Sequence, residues 1–153
     1  MPIDGATVEK FFEQMGWNYT RLDDNAWRMG VRGRLRDFTI VVRLIEAWLL
    51  IQTGLLNEPN PGCHQQLYQH LLRLNFQMNM AKFGLGSDGE IVLMVEMPIE
   101  ELNFSEFQTG LLALSTYAER YFLEIANLAT NPHARSSLAL PEAPEGDEKK
   151  SDS

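Results

Sequence analysis

Cysteine is almost absent from this 153-residue chain, which has one, Cys63. A lone thiol excludes an intramolecular disulfide, and it fits a reducing compartment. Long apolar runs are missing as well. The longest, Ala47 to Ile51, is far short of the ~20 residues that span a bilayer. Met1 to Lys10 has no basic start and no apolar stretch, so no signal peptide is expected. The chain reads as cytoplasmic and unattached to membrane.

Motifs that carry chemistry are also missing. There is no HExxH and no CxxC, and zinc needs three or four converging ligands. His64 and His70 are six apart, so on a helix they point in different directions. Cys63 and His70 share a helical face, but their Cα atoms are about 10 Å apart at helical rise, too far for a hydrogen-bonded dyad. Cys63 therefore reads as a small core residue and His70 as a surface one. Gly84-Leu85-Gly86 has no following helix and no third glycine, so it is not a dinucleotide fingerprint. No cofactor and no metal are expected, and the chain is read as non-enzymatic.

The formal charge is −8. Pro141 to Ser153 contributes −3 of it and the rest of the chain −5. Such a balance repels nucleic acid and anionic membrane on average. From Phe83 to Glu119 there is no Lys or Arg, while Asp88, Glu90, Glu96, Glu100, Glu101, Glu106 and Glu119 all fall there. Acid–base catalysis needs two carboxyls whose environments push their pKa values apart. These sit at turns, helix starts and strand edges, so an acidic surface for a basic partner is the better reading. Arg28, Arg32, Arg34, Arg36 and Arg43 are five of the 13 basic residues. Nucleic-acid binding would want aromatics on the same face to stack bases. Trp27 and Phe38 instead fall on the opposite parity from the arginines of their own strands. Arg28, Arg32, Arg34 and Arg36 are left as an electrostatic patch facing solvent or an anionic protein.

What is present is a clear periodicity. Val8, Phe11, Phe12 and Met15 predict a short amphipathic helix, capped by Asp4 or Thr7 and closed by Gly16. Trp17 to Leu22 is a weak strand. Trp27, Met29 and Val31 alternate with polar residues, as do Phe38, Ile40, Val42 and Leu44, and Trp48 to Thr53 is another β-prone run. Three or four antiparallel strands are expected. Asn57 to Gly62 breaks the pattern. A helix follows with the stripe Cys63, Leu67, Leu71, Leu74 and Met78 and a second row of Tyr68, Leu72 and Phe76. Lys82 to Gly86 and Glu90 to Met97 flank Ser87-Asp88-Gly89, a strong hairpin signal. Ser105 with Gln108 predicts a capping box, opening a long helix through Phe107, Leu111, Leu114, Ala118, Tyr121, Ile125 and Leu128. The expectation is one α+β domain over residues 1–130: helix, antiparallel sheet of three to four strands, helix, two-stranded hairpin, C-terminal helix. Residues 131–153 are expected to form a disordered acidic tail.

The helix LLRLNFQMN, the strands KFGLG and EIVLMVEMP, the turn between them and the helix from Ser105 resemble the type III secretion chaperone fold and its YbjN-like relatives. The resemblance covers about residues 7 to 129. It implies a small, acidic, cytoplasmic homodimer without enzymatic activity. The secretion chaperones hold an extended client segment on apolar patches, whereas the YbjN-like branch is linked to regulation. The Arg-rich strand and the tail have no counterpart in the chaperone pattern.

The apolar residues exceed what one core-facing side of a sheet needs. Val92 and Met94 oppose Ile91, Leu93, Val95 and Met97, and Val41 and Ile45 oppose the stripe from Phe38 to Leu44. Val41, Ile45, Leu72, Phe76, Val92 and Met94 are therefore the expected partner or dimer interface. The function these residues suggest is capture of a peptide or protein segment by apolar contact and strand addition. The alternative is a regulatory adaptor that docks on a folded partner through charged surfaces.

Overall fold

The computed structural model describes residues 1–140. They form three helices and six strands in the order α1 (Gly5–Met15), β1 (Thr20–Asp23), β2 (Ala26–Arg32), β3 (Asp37–Ile45), β4 (Trp48–Leu56), α2 (His64–Gln77), β5 (Ala81–Leu85), β6 (Ile91–Pro98) and α3 (Phe104–Thr130). All six strands belong to one antiparallel sheet, ordered β1-β2-β3-β4-β6-β5. The hairpin of β5 and β6 thus supplies the last two strands of that sheet. β6 pairs with β4 from Trp48↔Pro98 to Leu56↔Ile91.

Local chemistry sets the element ends. The Asp4 carboxylate accepts the Thr7 amide at 2.9 Å, capping α1. Gly16, at φ +70°, closes the helix in the left-handed region that glycine enters without a Cβ clash. Gly89, at φ +79°, turns the β5–β6 hairpin, with the Gly86 amide donating to the Glu90 carbonyl at 2.8 Å.

α3 is capped by Asn103, not by the expected Ser105–Gln108 pair. The Asn103 side chain accepts the Glu106 amide at 2.9 Å, and the Glu106 carboxylate accepts the Asn103 amide at 3.1 Å. Both pairs fit the capping-box spacing. Packing decides between them: Phe104, the first helical residue, lies 5.9 Å from the Phe11 ring, so the helix starts there.

The helices cover one face of the sheet. Trp27, Met29, Phe38, Ile40, Val42, Leu49, Ile51, Leu93 and Val95 point into the core. α1 and α3 meet them through Phe12 and Phe107, whose rings are 5.5 Å apart and T-shaped. Each such buried side chain contributes roughly 1.5–3 kcal/mol relative to exposure, which is ample to hold a sheet with one bare face.

His70 is not on the surface: it is fully buried. It follows Cys63 and Leu67 on the α2 stripe, and residues beyond α3 cover it. The Ser136 hydroxyl is 2.6 Å from His70 Nδ1, and the Ser137 amide and hydroxyl donate to Glu124 at 2.9 and 2.6 Å. Ala134 and Leu138 pack on the core. Residues 131–140, expected to begin a disordered tail, therefore fold back over the seam between α2 and α3. The rest of that expectation, 141–153, lies outside the described residues.

Candidate functional site: two apolar surfaces

The face of the sheet without helices is built by the residues that alternate with the core. In register across it run Arg28, Val41, Gln52, Met94 and Lys82, and beside them Arg43, Leu50 and Glu96. Val41, Leu50, Val92 and Met94 are half-buried. Farther along the same face, Ile45 and Trp48 are paired and each is 47% exposed. Four of the six expected interface residues, Val41, Ile45, Val92 and Met94, thus share this face.

The other two, Leu72 and Phe76, are on α2 and form a separate surface. Leu72 is 68% exposed and Phe76 93%. The stripe Cys63, Leu67, Leu71 and Leu74 turns inward, which leaves the Tyr68, Leu72 and Phe76 row facing out. Between α2 and β5 lies a shallow groove of about 250 Å³ lined by Tyr68, Leu71, Leu72, Asn75, Phe83 and Leu85.

β5 is an edge strand, and strand addition would need its outward backbone groups free. Asn75 occupies them at Phe83. Its side-chain amide donates to the Phe83 carbonyl at 3.2 Å, and its oxygen accepts the Phe83 amide at 2.7 Å. The Ala81 amide is used by the Asn79 carbonyl at 2.7 Å. This groove therefore offers side-chain contact in place of backbone pairing along that stretch.

The expected arginine patch divides in two. Arg28 and Arg32 are exposed on the helix-free face. Arg34 and Arg36 lie in the β2–β3 turn beside α3. The Arg34 amide donates to Glu119 at 2.6 Å. The Arg36 guanidinium stacks 4.5 Å from the Phe122 ring centre and 5.1 Å from that of Phe38, and it donates to the Leu55 carbonyl at 2.9 Å. Arg36 locks a turn to a helix and does not share a surface with Arg28.

Sequence reasoning missed the most polar buried cluster. His70 Nδ1 meets Ser136, and His70 Nε2 lies 3.4 Å from Glu124 Oε1, a charge contact without hydrogen-bond geometry. Burial pushes the His70 pKa below its usual 6.5, only partly opposed by Glu124. Burial acts to raise the Glu124 pKa, yet the two Ser137 hydrogen bonds and His70 outweigh it and bring the value below the usual 4.5. A serine–histidine–carboxylate series has the look of a hydrolase triad. Here the ring has no exposed surface, and the contacts tie α2, α3 and residues 131–140 together. Among the described residues no group of three or more His, Cys, Asp or Glu could hold a metal ion. No described helix is long and apolar enough to cross a membrane.

A family profile for YbjN, described as "Putative bacterial sensory transduction regulator", matches residues 4–127. The chain belongs to the YbjN family. No curated protein sequence matches it. Among solved structures, E. coli YbjN superposes with a TM-score of 0.62 at 14% identity, covering 82% of this chain and 94% of that one. A chain of the ExsC–ExsE complex gives 0.55 at 17%, covering 80% and 96%. The ExoU–SpcU complex of the Pseudomonas aeruginosa type III secretion system gives 0.56 at 15%, covering 80% and 97%. The antiparallel α+β fold of this YbjN-family chain is therefore that of the type III secretion chaperones, as its sequence resemblance implied.

Proposed function

We propose that this YbjN-family chain is a non-enzymatic, cytoplasmic protein-binding module that works as a homodimer and captures a polypeptide segment by apolar contact. The observation that carries this reading is the pair of apolar surfaces left uncovered by the fold. Phe76, Leu72 and Leu85 border one, and Val41, Leu50, Val92 and Met94 form the other. Association costs at least about 4 kcal/mol in lost freedom. One large apolar side chain returns roughly 1.5–3 kcal/mol on burial. A single anchor is thus insufficient, and each surface supplies three or four. The α2–β5 surface is assigned to self-association and the helix-free face to the client. That several structures sharing this fold are complexes named for two proteins is consistent with the assignment.

Photo-crosslinking tests it. A photoreactive phenylalanine analogue is placed at Phe76, at Met94 and, as a control, at exposed Thr109, and adducts formed in intact cells are identified by mass spectrometry. The reading expects self-adducts from position 76 and adducts with a second polypeptide from position 94. Adduct patterns indistinguishable from those at position 109 would refute it.

A second reading, a regulatory adaptor docking on a folded partner through charge, is favoured by the family description and by the exposed arginines of β2, which have no carboxylate partner among the described residues. Binding that falls steeply with salt would favour it.

A further inference from the structure

We propose that the helix-free face of the sheet receives an acidic, amphipathic polypeptide segment, with its carboxylates on Arg28 and Arg43 and its apolar side chains on Val41, Leu50 and Met94. This rests on the protein-binding reading and adds the chemistry of the partner. The charges on the face are unevenly placed. On the β5–β6 side, Lys82 and Glu96 neutralise each other at 2.7 Å. On the β2–β3 side, Arg28 and Arg43 are exposed and have no carboxylate partner among the described residues. A chain of formal charge −8 thus turns the Arg28 and Arg43 guanidiniums, unmatched among the described residues, toward the edge of its own apolar patch, while Arg32 farther along the face lies in register with Asp37.

The spacing suits an extended segment lying across the strands. Neighbouring strands are about 4.8 Å apart, so Arg28 and Met94, three strands apart in register, are separated by roughly 14 Å. Alternate side chains of an extended segment are spaced about 7 Å apart. A carboxylate at one position would reach Arg28, the side chain two positions on would lie between Val41 and Gln52, and an apolar residue four positions on would reach Met94. The neighbouring row is nearly bare: Gly54 and Gly84 lie in register with Val92, and Gly30 pairs with Thr39. A Cβ at Gly30 or Gly54 would meet nothing within 4 Å, so a crossing backbone has room beside the side-chain row.

A second copy is a poorer occupant. Twofold stacking would set each arginine end against a Lys82–Glu96 pair that is already neutralised. A nucleic acid is poorer too, because the register neighbours of Arg28 are Thr20 and Val41, and Trp48, diagonal to Arg43 beyond Leu50, offers one ring in place of a row on which successive bases could stack, on a chain whose net charge repels a polyanion.

The test uses the full chain and two fluorescein-labelled peptides, one alternating glutamate with valine and one alternating lysine with valine, in anisotropy titrations. The glutamate–valine peptide should bind the native protein, and raised salt should weaken it. Arg28→Glu with Arg43→Glu should lower its affinity tenfold or more and reverse the preference toward the lysine peptide. Arg28→Gln with Arg43→Gln, gentler on the fold, should give an intermediate loss, with circular dichroism confirming both. Equal binding of the two peptides, an unchanged affinity in both double variants, or displacement of the peptide by a single-stranded oligonucleotide would overturn the proposal. So would a change of oligomeric state on sedimentation of the double variants, which would make the face a self-interface. If position 94 still yields adducts with a second polypeptide while neither peptide is preferred, charge selection fails and polypeptide capture stands. Loss of both removes both.

Discussion

His70 gives the sharpest prediction, because a buried imidazole ties acidity to stability. In the arrangement of Leu138, Ser136, His70, Glu124 and Ser137, a neutral ring with its proton on Nε2 satisfies the hydrogen bonds of Ser136 and leaves Nε2 with only its charge contact to Glu124. The Ser136 hydroxyl then donates to Nδ1 and accepts the Leu138 amide at 3.0 Å, while the Nε2 proton faces the Glu124 carboxylate. Protonating Nδ1 would leave Ser136 with two donors and no proton acceptor for its own hydroxyl. The groups facing the ring are Glu124 from α3, which favours the charged form, and Arg73 from α2, which opposes it. Burial dominates both, so the folded-state pKa lies below the unfolded value. The sign follows: the unfolded chain binds the proton first as pH falls, so stability is full above about 6.5 and declines below it. The slope contributed by one such group is at most about 1.4 kcal/mol per pH unit. Glu124, also lowered, adds a separate decline that begins near its ordinary 4.5.

His70→Leu removes the titration while keeping the seam filled. Thermal unfolding followed by circular dichroism at pH 7.5 and 5.5 should show native protein losing more stability on acidification than the variant, by about 1 kcal/mol. At this chain length that corresponds to roughly 3 °C in Tm. The variant should also be about 1–3 kcal/mol less stable at the higher pH, because the Ser136 hydroxyl loses its partner in a buried place. Parallel acid profiles for the two proteins would refute the reasoning.

The remaining predictions are quickly stated. Asn103→Ala should cost about 1 kcal/mol by opening the α3 capping box, read as a Tm lower by roughly 3 °C. Arg36→Lys keeps the charge but loses the planar stack on Phe122 and the bond to Leu55; denaturant unfolding should show a loss of about 1–2 kcal/mol. Met94→Asp should leave circular dichroism unchanged and abolish client adducts formed from a photoreactive analogue placed at Leu50 on the same face, whereas an unfolded variant would place Met94 in the core. Asn75→Leu should uncap the Phe83 backbone and cost about 1–3 kcal/mol. Light scattering should also detect concentration-dependent association through the opened β5 edge.

The parts legible in the sequence were those with a local cause. The period-2 runs of β2, β3 and β6, the α3 stripe, Gly16 and the Asp88-Gly89 turn each state their own conformation. That β6 would join β4 was not legible, since it depends on register between strands separated by α2. His70 followed the α2 stripe yet read as a surface residue, because the segment that covers it comes more than sixty positions later and has no helical or strand periodicity. Arg36 read as part of a patch for the same reason: the ring it stacks on, Phe122, belongs to α3. Of the expected interface residues, the parity rule placed Val41, Ile45, Val92 and Met94 on the helix-free face of the sheet, and helical spacing placed Leu72 and Phe76 on the outer side of α2. Neither rule could say that the two groups form separate surfaces.

That separation bears on how the protein recognises anything. A sheet protein can bind a polypeptide by extending its backbone ladder or by presenting side chains. Here Asn75 fills the β5 edge at Phe83 with the donor and acceptor that an incoming strand would bring, and the Asn79 carbonyl takes the Ala81 amide. At the opposite edge, β1 is only four residues long, each of them exposed, too short to template an extended partner along the sheet. Backbone groups give affinity without regard to sequence, whereas side chains select. With the ladder closed at one edge and curtailed at the other, discrimination falls to the helix-free face. On the proposed reading, Arg28 and Arg43 would set the charge a partner must carry, and Val41, Leu50 and Met94 would set where its apolar residues must lie.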